Sequence, residues 1–94
     1  MKRDLLSGAG VQRHFVDVAN LIGLHVNGLQ GLTIYRDSQF DMEWRRSDFP
    51  NELRTVARDA FNREVDERVL RMFPKHPLTK FSIARLKSAD QAAA

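Results

Sequence analysis

The apolar positions of this chain follow two different periods. From Asn51 to Phe73 (NELRTVARDAFNREVDERVLRMF) no Gly or Pro interrupts the run, and Leu53, Ala57, Ala60, Phe61, Val65, Val69 and Met72 recur at i, i+4, i+7, i+8, i+12, i+16 and i+19. At about 100° per residue these positions form one drifting stripe, which predicts a long amphipathic helix with a face to bury. Ser47 or Asp48 is its expected cap. Pro74, with Pro77 behind it, is its expected stop, because proline neither donates to a helix nor clears the carbonyl one turn earlier. Residues 7–22 (SGAGVQRHFVDVANLI) repeat Val11, Phe15, Val18, Ala19 and Ile22 in the same way and predict a second helix. Gly23 followed by apolar Leu24 predicts that this helix ends in a left-handed glycine cap.

Between the two helices the period changes to two. Leu32 and Ile34 alternate with Thr33 and Tyr35, and Phe40, Met42 and Trp44 alternate with Asp41, Glu43 and Arg45, the pattern of two half-buried strands. Pairing Ile34 with Phe40 and Leu32 with Met42 leaves a three-residue loop at 36–38 and keeps the apolar side chains on one face. Residues 24–26 add a short third strand, turned through Asn27-Gly28 and Gly31. The expected fold is therefore α+β in the order α-β-β-β-α: a small antiparallel three-stranded sheet covered on one face by two helices. One compact domain is expected over 1–73. A Pro-bounded basic segment follows at 74–94, short and helical or extended, with enough apolar residues for a short helix at 78–87, and packs on the domain or on a partner.

Composition narrows the class. Apolar residues make up 43% and charged residues 29% of 94 residues, which suits one soluble domain and indicates neither disorder nor a membrane span. Asp4 interrupts the basic start, so no signal peptide is expected and a cytoplasmic address is. The absence of cysteine removes disulfides, thiolate metal sites and thiol nucleophiles. The formal charge of +3 is unevenly spread: 1–14 carries +2, 73–94 carries +3 and the stretch between them −2. The long helix balances five Arg against five acids, so any electrostatic footprint is expected at the ends of the chain.

Candidate chemistry is sparse. The double-stranded RNA-binding domain shares the expected element order, but FPNELRTVARD opens the long helix with Asn51 and Glu52 where such domains carry lysines, so membership is not inferred. Asp41-Met-Glu43-Trp-Arg45 offers two carboxylates and a cation on one strand face, but arginine cannot replace the lysine that orients a metal-nuclease water. His14 and Asp17 stand at i, i+3, with no nucleophile assigned to them. Glu64 and Arg68, at i, i+4, suggest a pair at the edge of the buried stripe. Trp44 is expected inward with Phe40 and Met42, and Tyr35 outward beside Arg36, Asp41, Glu43 and Arg45. Arg45 and Arg46 with Lys75, His76, Lys80, Arg85 and Lys87 form the best basic set.

The sequence thus points to a non-enzymatic binding protein without cofactor or metal. It would dock on a larger protein or nucleoprotein complex as an accessory subunit, an adaptor or a phage-type inhibitor. The expected partner-binding residues are Tyr35, Arg36, Asp41, Glu43, Arg45, Arg46, Lys75, Lys80, Phe81, Arg85 and Lys87. The alternative is direct nucleic-acid binding through the basic ends; a homodimer is compatible with either, and no membrane is implicated.

Overall fold

The computed structural model describes residues 8–93, with side chains to Gln91. Lys2, Arg3 and the first residue of the expected N-terminal helix lie outside the described residues. Those described are helical and connecting segments, with no strand among them. The order is α1 (Gly8–Leu21), a 3₁₀ segment (Val26–Gly31), α2 (Leu32–Ser47), a 3₁₀ turn (Asn51–Leu53), α3 (Arg54–Met72) and α4 (Thr79–Ala93).

The three-stranded sheet is thereby overturned, and α2 shows why. Leu32, Arg36, Phe40 and Trp44 are its buried residues, spaced four apart along one helical face. The alternation seen in the sequence came from Ile34 and Met42, which lie off that face, Ile34 being 80% exposed. Arg36 hides the helical period by putting a polar residue on the buried stripe. No Gly or Pro falls between Leu32 and Phe49, so although the expected 36–38 loop holds Asp37 and Ser38, nothing there forces a break in the helix. The expected 24–26 strand is likewise replaced by an extended lead into the 3₁₀ segment.

α3 is the axis of the fold, and the other three helices pack along it. Its buried side chains Ala57, Phe61, Val65 and Val69 follow the expected stripe; Asp66, not expected there, is buried beside them, and Met72 is exposed. Val11, Phe15 and Ala19 of α1 close on the same core. Phe15 lies 5.0 Å from Phe40 and 6.4 Å from Phe61 between ring centroids, and Phe40 stacks on Trp44 at 6.0 Å. Rings at such spacings add quadrupole attraction to a large buried apolar area.

Side-chain pairs set the directions. Asn20 Nδ2 donates to Glu64 Oε2 at 2.9 Å and Arg68 reaches Ile22, so α1 runs parallel to α3. Arg36 meets Asp66 while Asp41 meets Arg54, so α2 runs antiparallel to α3. Arg85 meets Asp66 and Asp90 meets Arg63, so α4 is antiparallel as well.

The helix ends differ from expectation for local reasons. α1 stops at Leu21 with no positive-φ glycine among the described residues. Instead, Arg68 Nη1 donates to the carbonyls of Ala19 and Ile22, both at 2.7 Å, satisfying groups that a glycine cap would otherwise serve. Arg68 therefore does not pair with Glu64, which binds Arg71 at 3.3 Å. Neither Ser47 nor Asp48 caps the long helix: Ser47 closes α2, and Asp48 follows it at φ 56°, the left-handed conformation that aspartate tolerates better than most residues. α3 does end just before Phe73 and Pro74.

Candidate docking surface

The up-and-down course of the helices brings distant stretches together at one end of the molecule. There α1 and α3 finish, α2 and α4 begin, and the 3₁₀ segment and the 73–78 connector cross between them. The stretches that build this end, 18–36 and 68–89, hold Arg36, Arg68, Arg71, Lys75, Lys80, Arg85 and Lys87 and not one Asp or Glu. Asp17, Asp37, Glu67 and Asp90 border these stretches directly, Asp37 being exposed beside Arg36. Glu64 and Asp66 approach the basic end, but both are engaged there by arginines.

Exposed apolar groups concentrate at the same end. Leu21, Val26, Ile34, Tyr35, Leu70, Met72 and Phe81 all belong to the acid-free stretches; of the large hydrophobic side chains exposed among the described residues, Met42 alone lies elsewhere. Phe81 is 50% exposed, and Lys80 Nζ stands 5.3 Å from its ring centroid. An ammonium at this distance is attracted by the π face. Two open grooves adjoin there. One, of about 340 Å³, runs between Leu29, Leu32, Val69, Leu78 and Phe81. The other, of about 420 Å³, lies between Val26, His76 and Pro77, and the two share Gln30 and Leu78.

Most arginines of this end are already used. Arg85 donates from Nε and Nη2 to Asp66, the Nη2–Oδ1 distance being 2.8 Å, and Arg36 Nη1 adds a longer bond of 3.4 Å. Arg36 is 7% exposed and Asp66 3%. Burial pushes the Arg36 pKa down, against the pull of Asp66. Its Nε and Asn62 Oδ1 are closed off from solvent without a hydrogen-bond partner. Arg68 holds the α1 carbonyls, so the lysines are the cations left for a partner.

The expected site residues therefore separate. Tyr35, Lys75, Lys80 and Phe81 lie at the acid-free end, Tyr35 bordering a third groove with Gly23 and Leu24. Arg36 and Arg85 face inward to Asp66 and act as structure; the hairpin-loop setting expected for Arg36 does not exist. Lys87 is exposed along α4. Asp41, Glu43, Arg45 and Arg46 sit further along α2, away from that end. Asp41 is bound by Arg54 at 2.9 Å and Arg58 at 3.8 Å, and Arg45 and Arg46 occupy the last turn of α2, where cations suit the helix dipole. Sequence reasoning missed Val26, Leu29, Gln30 and Leu78. The readable signal was the absence of acids from two separated stretches.

His14, expected beside Asp17, instead meets Glu43 and Ser47. Its Nε2 lies 2.8 Å from Glu43 Oε2 and 3.2 Å from Ser47 Oγ, while Ser47 Oγ is 2.6 Å from the Glu43 carbonyl. Nucleophile activation needs the base nitrogen free to accept the serine proton, with the acid on the other ring nitrogen. Here one nitrogen faces both groups, and the close carboxylate requires it to carry a proton. The trio is a polar clasp between α1 and α2. Burial raises the Glu43 pKa, but the bonds from His14 and Ser47 outweigh this and hold it below its ordinary value.

No described helix is long and apolar enough to cross a membrane, and no group of three metal-binding side chains forms among the described residues. No protein-family model, curated protein or solved structure matches this chain.

Proposed function

We propose that this chain is a non-enzymatic binding protein that docks on a larger protein or nucleoprotein complex, with the acid-free end as its docking face and the cytoplasm as its place of action. The observation that carries this reading is the coincidence, at one end of the helices, of exposed apolar side chains with the exposed lysines Lys75 and Lys80. Apolar anchors with a charged rim are what a protein interface uses. Direct nucleic-acid binding is less well supported, because the guanidiniums best suited to phosphate are committed to Asp66, Glu64 and the α1 carbonyls.

The test compares charge reversal at the two ends. Purified wild type, the pair Lys75→Glu/Lys80→Glu and the pair Arg45→Glu/Arg46→Glu are immobilised and used for affinity capture, with the retained proteins mapped by cross-linking. The reading expects the first pair to lose a partner that the second retains. The reverse pattern, or cross-links confined to 41–46, overturns it.

A further inference from the structure

The two adjoining grooves give the docking face a definite shape, and the chemistry around them selects an occupant. Resting on the docking reading above, we infer that this trough receives an acidic amphipathic helix from a partner protein, with an apolar anchor seated between Leu29, Val69 and Phe81. Its carboxylates meet Lys75 and Lys80.

Three observations lead there. In the 340 Å³ groove Leu29, Leu32, Val69, Leu78 and Phe81 supply an apolar wall beside the polar Gln30, Thr33, Ser82 and Arg85, with Phe81 half-exposed, so an apolar side chain entering against that wall gains burial. Exposed Lys75 and Lys80 outnumber Asp37, which stands one turn beyond the groove residue Thr33, and Arg85 is paired with Asp66, so the rim carries a net positive charge that favours carboxylates over an otherwise equal basic segment. With no strand among the described residues there is no sheet edge for an extended peptide to join, whereas a trough between helical elements suits anchors on one helical face. A second copy of this chain is the competing occupant, because its Asp48, Glu52 and Asp59 are exposed; concentration-dependent shifts of the free protein at the same groove residues would overturn the inference.

The test is an amide-shift titration of the isotope-labelled protein with a synthetic peptide helix of about four turns. The peptide carries Leu and Phe on one face and Glu on the others. A twin has Lys for every Glu, and phosphatidylserine-containing vesicles are titrated in parallel. The acidic peptide is expected to shift Leu29, Gln30, Val69, Leu78 and Phe81 and to bind about tenfold or more tightly than its twin, a difference of about 1.4 kcal/mol or more. Phe81→Ala and Lys80→Glu, both at exposed positions, should each weaken it severalfold without altering the spectrum of the free protein. Shifts confined to other parts of the acid-free end, such as Leu70 and Met72, overturn the groove assignment but leave the docking reading intact. No shifts at this end, or equal binding of the twins, overturn both. Vesicle binding without peptide binding replaces the protein partner with a lipid surface and also overturns the inference.

Discussion

Asp66 on α3 and Arg85 on α4 form a two-pronged ion pair, Nη2–Oδ1 at 2.8 Å and Nε–Oδ2 at 3.0 Å, with the carboxylate almost wholly out of solvent. Among the described side chains of α4 only Thr79 and Ser82 are buried and none belongs to the apolar core, so this pair, with the exposed Arg63–Asp90 pair further along, holds α4 on α3. Asp66→Ala would leave Arg36 buried and unpaired. A loss of about 3–5 kcal/mol is expected, because removing one partner strands the other's charge. Urea unfolding measures it, and a loss below about 1 kcal/mol would deny the pair this role.

The helical assignment of α2 separates two side chains that a sheet would have buried together. Phe40→Ala should cost about 3–5 kcal/mol, and Met42→Ala, on the exposed side, about 0.5 kcal/mol or less. Comparable losses at both positions would favour a strand.

That contrast shows what the sequence could reveal. The stripes of α1 and α3 are legible because their buried positions are almost all apolar and recur over several turns. α2 was misread because Arg36 occupies its buried stripe while Ile34 and Met42 sit outside it. Asp66, which makes a buried arginine tolerable there, is 30 residues away, and no local pattern announces the pairing. The proposed docking face was partly visible: the tail residues Lys75, Lys80 and Phe81 stood out, but their neighbours Leu29 and Gln30 needed the topology to bring them across.

The His14–Glu43–Ser47 clasp gives acid sensitivity of a defined sign. The Glu43 pKa in the folded chain lies below its ordinary 4.5, so its contribution is complete above the unfolded value and is lost as pH falls through the folded one. Thermal melts of wild type and Glu43→Gln should differ at neutral pH and converge on acidification well below 4.5. A gap that stays constant with pH would contradict the clasp.

Asp48 ends α2 at φ 56°. Glycine adopts this conformation without a Cβ penalty, so Asp48→Gly should raise stability by up to about 1 kcal/mol in the same denaturation assay. A clear loss would mean that the aspartate side chain holds the turn.

The central claim, that the acid-free end serves a protein partner, is tested most directly by fluorescence anisotropy at two salt concentrations. The acidic peptide is titrated beside random single- and double-stranded DNA and RNA. The account predicts that the peptide binds and retains part of its affinity at the higher salt, because its apolar anchor is not screened, while nucleic acids bind weakly even at the lower salt. Micromolar nucleic-acid binding with a steep salt dependence, and none of the peptide, would contradict it.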